Sequence, residues 1–155
     1  MLAKGVTTIK GAALEPEILN TVSMLRSMGA KIEVDESRRT VRVNGVSSLK
    51  GTRAVVMPDR NEVVSFAIAA LATGGKIFIP GVEESYLTSF LKKVKELGGL
   101  VHMRDNGIEF AAGEKYHGTW IETSPHPGFM TDWQQPFLIL LTQAEGKSII
   151  HETVY

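Results

Sequence analysis

The sequence predicts an α/β fold of the α+β kind, assembled from repeated β-α-β-α-β-β units. Three observations carry that expectation. Two helix-like stretches, residues 15–29 and 84–98, share one apolar stripe: Ile18, Val22, Leu25 and Met28 in the first match Leu87, Leu91, Val94 and Leu97 in the second. All four pairs stand about 70 residues apart, a longer period than that of the common solenoid repeats. Each stretch is followed by two short alternating runs around a polar turn, the pattern of a β-hairpin. Two further helical runs, containing residues 66–71 and 137–141, are apolar around most of their circumference, and each follows a proline loop.

Taken in order, residues 6–10 read as a strand. Pro16 opens the first helix, where its missing N–H is not needed, and Gly29 supplies a left-handed stop. Strands are expected over 31–34 and 40–43, with the turn 35–39 between them. Another strand, 53–56, runs into the loop Met57-Pro-Asp-Arg60, and a helix follows over 62–73. Gly74 and Gly75 end that helix, and a strand over 76–80 leads to the second amphipathic helix, 84–98. Strands 100–103 and 108–110 then form the second hairpin. A strand over 119–123, a proline loop, a helix over 131–144 and a strand after Gly146 complete the chain. The helices 62–73 and 131–144 are expected to be buried on several sides.

In these terms residues 53 to about 112 form one complete unit. The residues before them are the last four elements of a preceding unit, and 119–151 are the first three of a following one. The chain is therefore expected to be a piece of a longer protein.

Composition narrows the function. Formal net charge is zero, with no basic run, so no nucleic-acid partner is indicated. There is no cysteine, which removes disulfides, thiolate metal sites and a thiol nucleophile from this chain. The opening residues are too short and polar for a signal peptide, and no apolar run has the length of a membrane span.

The stretch with most chemical content is Thr123-Ser-Pro-His-Pro-Gly-Phe-Met-Thr-Asp-Trp133. Its prolines exclude helix interior and central strand, so it is a rigid loop that delivers Thr131 and Asp132 to a helix start. A carboxylate there either caps the helix, stabilising it by ~1 kcal/mol, or meets a ligand beside outward-pointing N–H groups. Both roles can hold, with Thr131 as the cap. His126, between two prolines, is expected to brace the loop through a hydrogen bond. His102, His117 and His151 lack metal-binding spacing. Asp59 and Arg60 are expected to make an internal ion pair or a hinge contact rather than to hold a substrate phosphate, and Trp120 and Trp133 to pack.

Gly5-Val-Thr-Thr-Ile-Lys-Gly-Ala-Ala-Leu-Glu-Pro-Glu-Ile18, Met28-Gly-Ala-Lys-Ile32, Met57-Pro-Asp-Arg60, Thr123 to Asp132 and Glu152-Thr-Val154 follow one another in an order that resembles the enolpyruvyl transferase family. The likeness covers essentially the whole chain. Within the family, the Pro-His-Pro, Thr-Asp and Glu-Thr-Val motifs resemble members that act on UDP-N-acetylglucosamine. The resemblance implies an inside-out α/β barrel fold, here truncated. Residues 1–56 would be the closing part of one domain and 57–155 the opening part of the second, with Pro58-Asp59-Arg60 at the crossover.

It also implies a cytoplasmic enzyme of peptidoglycan precursor synthesis. Such an enzyme moves the enolpyruvyl group of phosphoenolpyruvate to the 3-hydroxyl of UDP-N-acetylglucosamine and releases phosphate, with neither a metal nor an organic cofactor. Asp132 would bind that hydroxyl and take its proton, and the backbone of Val154 would touch the nucleotide. The family's acid and its phosphoenolpyruvate-binding arginines have no counterpart among these motifs, so the chain alone is expected to be inactive. Leu14 stands where an arginine is usual. Exposed strand edges and helix faces predict self-association into a homodimer. The alternatives are a non-catalytic scaffold of the same repeats, or a transferase for a shikimate-type acceptor.

Overall fold

Hydrophobic periodicity settles into two αβ layers, each with its own core. A computed structural model describes all residues, 1–155. The chain divides into two compact units, Met1–Met57 and Pro58–Tyr155.

In the first unit, β1 (Val6–Lys10), β2 (Lys31–Asp35) and β3 (Thr40–Asn44) form an antiparallel sheet of order β1-β3-β2. Helix α1 (Pro16–Ser27) has Pro16 in its first turn, as expected. Strand alternation places Ile32 of β2 and Val41 and Val43 of β3 on the covered face. There they form a small core with Val22, Ala12 and Ala30. Of the expected α1 stripe, Val22 is buried and Leu25 packs on the core, while Ile18 stays exposed.

The second unit repeats the design. Strands β4 (Lys76–Pro80), β5 (Leu100–Arg104) and β6 (Gly107–Ala111) form a sheet of order β4-β6-β5. Its register is equivalent: Lys76 and Leu100 both face Ala111, just as Val6 and Lys31 both face Asn44. Glu109 of the central strand bonds Lys76 on one side at 3.0 Å and Arg104 on the other at 2.7 Å. Lys76 and then Arg104 hold its carboxyl below the usual range. The 3-10 turn Glu84–Tyr86 leads into α3 (Thr88–Leu97), and all four expected stripe residues, Leu87, Leu91, Val94 and Leu97, are buried.

Helix α2 (Arg60–Ala72) packs on β4, β6 and α4 (Gln134–Leu141). Strands β7 (Trp120–Glu122) and β8 (Ile149–His151), which flank α4 in sequence, pair in parallel. No helix is long and apolar enough to cross a membrane.

Four expectations are corrected. Residues 53–56 form no strand, because no strand lies beside them: Val55 is 89% exposed, and only side chains reach this backbone, Thr52 at Arg53 O and Asn20 at Val55 O and Met57 N. Residues 58–112 therefore hold the unit without its first strand. The helices α2 and α4 each bury one face only. Phe66, Leu138 and Ile139 stand exposed, since no layer covers the far side. The helix expected over 131–144 begins as a 3-10 turn, Thr131–Trp133, and turns α-helical at Gln134, with Pro136 in the first α turn, where no N–H is required. Trp120 does not pack inward: it is 55% exposed, on the open face of the two-stranded β7–β8 sheet.

The repeat offers a controlled comparison of two helix stops. Gly29 and Gly98 both have positive φ, +100° and +109°, which a Cβ disfavours. A Cβ on Gly29 meets nothing within 4 Å, whereas one on Gly98 comes to 2.5 Å from Lys115 O. Gly29→Ala is expected to cost about 1 kcal/mol, and Gly98→Ala about 3 kcal/mol as overpacking adds to backbone strain. Urea denaturation followed by residue-resolved amide exchange measures both; equal costs would contradict the assigned role of Lys115 O.

Candidate functional site

The loop between β7 and α4 rests on a floor of aromatic rings. Phe129 and Trp133 meet edge to face at 5.6 Å, Phe129 and Phe137 at 5.4 Å, and Phe90 approaches Trp133 and Phe137 at 5.9 Å each. Such edge-on contacts favour fixed ring orientations. The loop backbone closes on itself through Ser124 N–H to Phe129 O at 2.9 Å and Gly128 N–H to Pro125 O at 2.8 Å. The Ser89 hydroxyl of α3 donates to Gly128 O at 2.8 Å. A side chain at Gly128 would run into the Ser124 hydroxyl, so only glycine fits the turn. The peptide before Pro127 is cis.

Arg60 is 3% exposed and serves this loop from beneath. Its guanidinium lies 5.7 Å over the Trp133 ring, donates to Tyr86 O at 3.4 Å and stands 3.4 Å from His126 Nδ1. A guanidinium only donates, so Nδ1 accepts and the imidazole proton sits on Nε2. His126 thus braces the loop, as the sequence suggested. Asp59 takes a different part from the one expected: its carboxylate caps α2, accepting from Asn61 N–H at 2.7 Å.

Asp132 is exposed, on the 3-10 turn. Its Oδ2 accepts from Asn61 Nδ2 at 3.3 Å, and Asn61 Oδ1 in turn accepts from the indole N–H of Trp133 at 3.0 Å. Neither Asp132 nor Thr131 makes a side-chain cap here. The expected capping role is corrected, because both side chains have other partners.

The Thr131 hydroxyl donates instead to Glu152 Oε2 at 3.1 Å. Glu152 is where the loop and the final residues are joined. Its Oε1 accepts from Thr123 Oγ1 at 2.8 Å, Val154 N–H at 2.6 Å and Tyr155 N–H at 3.3 Å, while Oε2 also accepts from Gln134 Nε2. Thr153 adds two bonds to Thr123, at 2.9 and 2.6 Å. Partial burial would raise the Glu152 carboxyl. The donors, Val154 N–H first and then Thr123, Thr131 and Tyr155 N–H, outweigh it and bring the carboxyl from 4.5 down to about 2.

The two residues singled out from the sequence are therefore joined through one carboxylate: Asp132 adjoins Thr131, and Val154 hangs on the same Glu152. Since the Val154 N–H is committed to Glu152, a backbone contact from Val154 to a ligand falls to its carbonyl. Sequence reasoning missed Glu152 and Asn61 as parts of the site. Glu152 stood inside the Glu-Thr-Val motif that flagged Val154, so a signal was present. Nothing in the sequence links Asn61 to a residue so far along the chain. No group of three or more His, Asp or Glu side chains is placed to hold a metal ion.

Chemically, the arrangement offers one saturated carboxylate and one open one. Glu152, with both oxygens occupied by donors, is a fastener. Asp132 keeps one oxygen free to accept from an incoming hydroxyl.

Comparisons with known proteins agree on one family. The family model for EPSP synthase (3-phosphoshikimate 1-carboxyvinyltransferase) matches residues 1–155. A UDP-N-acetylglucosamine 1-carboxyvinyltransferase of Protochlamydia amoebophila is 47% identical over 154 residues, 99% of this chain and 33% of that protein. The enzyme of the same name from Chlamydia abortus is 44% identical, over 99% of this chain and 34% of its own length. The chain thus spans about a third of the curated relatives it matches. Among solved structures, the enolpyruvyl transferase NikO from Streptomyces tendae superposes with a TM-score of 0.84 at 23% identity, covering 97% of this chain and 36% of that one, a likeness of fold.

The Glu152 bonds predict a pH signature. Its folded-state pKa is depressed, so its stabilising contribution is complete above about pH 4.5 and is lost as pH falls from there toward 2. In Glu152→Gln that segment of the stability profile flattens, and stability at neutral pH drops, since an amide group cannot accept from all five donors. Urea midpoints measured from pH 7 to pH 2.5 read both effects; superimposable profiles for the two proteins would exclude the role.

Proposed function

This chain belongs to the EPSP synthase family of enolpyruvyl transferases, and from that premise we propose that it carries part of the acceptor side of a sugar-nucleotide enolpyruvyl transferase. The acceptor is UDP-N-acetylglucosamine, and the donor of the three-carbon group is phosphoenolpyruvate. Residues 1–56 belong to the closing part of one domain of the whole enzyme, and residues 57–155 to the opening part of the other. The observation that carries the reading is Asp132: an exposed carboxylate with one oxygen held by Asn61 and the other open.

In the proposed reaction the acceptor's 3-hydroxyl oxygen bonds to the enol carbon of phosphoenolpyruvate while its proton passes to Asp132 and the methylene carbon gains a proton. The resulting tetrahedral adduct then loses phosphate from that central carbon and a proton from the methyl group, which restores the enol ether. Asp132 acts within hydrogen-bond reach as the base of the first step. The Val154 carbonyl contacts the nucleotide. The acid for the methylene carbon is assigned to none of these residues, and the chain alone is expected not to turn over substrate.

A shikimate-type acceptor, with its carboxylate and phosphate, would call for cations at the loop. The loop itself contains neither lysine nor arginine, and the nearby Arg60 is buried against the Trp133 ring and bonded to Tyr86 O. That favours the neutral sugar hydroxyl as the group presented to Asp132.

Titrating the chain with UDP-N-acetylglucosamine should give saturable amide shifts centred on Asp132, Trp133 and Val154, lost in Asp132→Ala. Saturable shifts elsewhere, with these three residues silent, would overturn the assignment. Self-association is proposed through the exposed apolar side chains of α2 and α4. Sedimentation should show a dimer that Leu138→Glu with Ile139→Lys converts to monomer, and a monomeric parent chain would remove the proposal.

A further inference from the structure

An exposed aspartate on a 3-10 turn has rotamer freedom that a base must give up before it can act, at a cost in entropy. Here the freedom is already restricted by a chain of hydrogen bonds that runs from the aromatic core to the surface. Trp133 is 1% exposed, clamped edge-on by Phe90 and Phe129 and covered by the Arg60 guanidinium. Its indole N–H can only donate, and it donates to Asn61 Oδ1 at 3.0 Å. That bond decides which way the Asn61 amide faces, because an NH2 group turned toward the indole would set donor against donor. With its oxygen so engaged, Asn61 presents Nδ2–H to Asp132 Oδ2 at 3.3 Å, and a carboxylate only accepts. The chain therefore has a single consistent polarity. Asn61 is pinned at the backbone as well, by its N–H to Asp59 Oδ1 at 2.7 Å.

We infer that Asn61 is a positioning residue for Asp132: its amide, oriented by the Trp133 indole, holds one carboxylate oxygen and turns the other toward the acceptor hydroxyl. This rests on the reading of Asp132 as the acceptor contact given above. Asn61 touches no reacting atom in this scheme and acts through Asp132 alone. Its usefulness lies in preorganisation, since a carboxylate already aligned loses less freedom when substrate arrives.

The informative variant is Asn61→Asp. It keeps an oxygen for the indole and a compact side chain on α2, and it replaces the one donor to Asp132 with a like charge. Asn61→Leu, which removes both bonds, is the second variant. The first readout needs no substrate: three-bond couplings across the Asp132 side chain report its χ1 distribution, and the Trp133 indole proton resonance reports the bond to residue 61. In the parent chain Asp132 should show one dominant rotamer. In Asn61→Asp it should average over rotamers while the indole resonance keeps its hydrogen-bonded position; in Asn61→Leu both should change.

The second readout is UDP-N-acetylglucosamine affinity, expected to weaken about tenfold in Asn61→Asp, the scale of one misaligned charge-assisted hydrogen bond. Unchanged Asp132 couplings in both variants would overturn the inference whatever the affinity does. Averaged couplings together with weakened affinity support it. Averaged couplings in a chain whose parent shows no contact between Asp132 and the sugar nucleotide would uphold the positioning role and defeat the functional reading instead.

Discussion

The buried N–H of Trp133 is the constraint from which the rest of the second unit's surface chemistry follows. A large indole is worth burying, but its single polar atom must be satisfied, since an orphaned donor in the interior costs about 1–3 kcal/mol. The Asn61 amide supplies the acceptor. Because Asn61 occupies the first turn of α2, that bond fastens the start of α2 to the start of the helix after the loop. The proline loop between β7 and α4 then has both its ends and its floor defined: Phe129 and Trp133 below, Ser89 at the side, Arg60 and His126 beneath the turn.

Two carboxylates at this place illustrate how environment assigns roles to like groups. Glu152 accepts from five donors on both oxygens and is held ionised down to about pH 2, which suits a group that ties chain segments together. Asp132 accepts from one, at the surface, and keeps capacity for a ligand. A saturated acceptor has nothing left to offer a substrate; a singly bonded one is both oriented and available. The difference lies in which donors surround each group rather than in the groups themselves.

The two units share sheet order, register and helix placement yet differ in what fills them. The first is cored by Ala12, Val22, Ala30, Ile32, Val41 and Val43, all small or β-branched, and β1 is exposed along its whole length. The second is built on Phe90, Phe110, Phe129, Trp133 and Phe137 together with a full aliphatic stripe on α3. One architecture thus serves a light layer and a heavy one, and the rigid loop sits over the heavy one.

Sequence by itself determined the elements and their repetition. The stripe Leu87, Leu91, Val94 and Leu97, the hairpin turns and the glycine stops are short-range patterns, and local periodicity is enough to read them. It also pointed to Asp132 and Val154, through the motifs that carry the family likeness. It did not determine that residues 53–56 stay unpaired, that Trp120 faces outward, or that α2 and α4 keep one side bare. Strand pairing and burial depend on what lies beside an element in space, not on its own composition. Nor did it join Asn61 to Asp132 and Trp133, or Glu152 to Thr123 and Thr131. Those bonds link residues far apart in the chain, and their geometry exists only once the sheets and helices have packed and brought the donors within 3.3 Å of their acceptors.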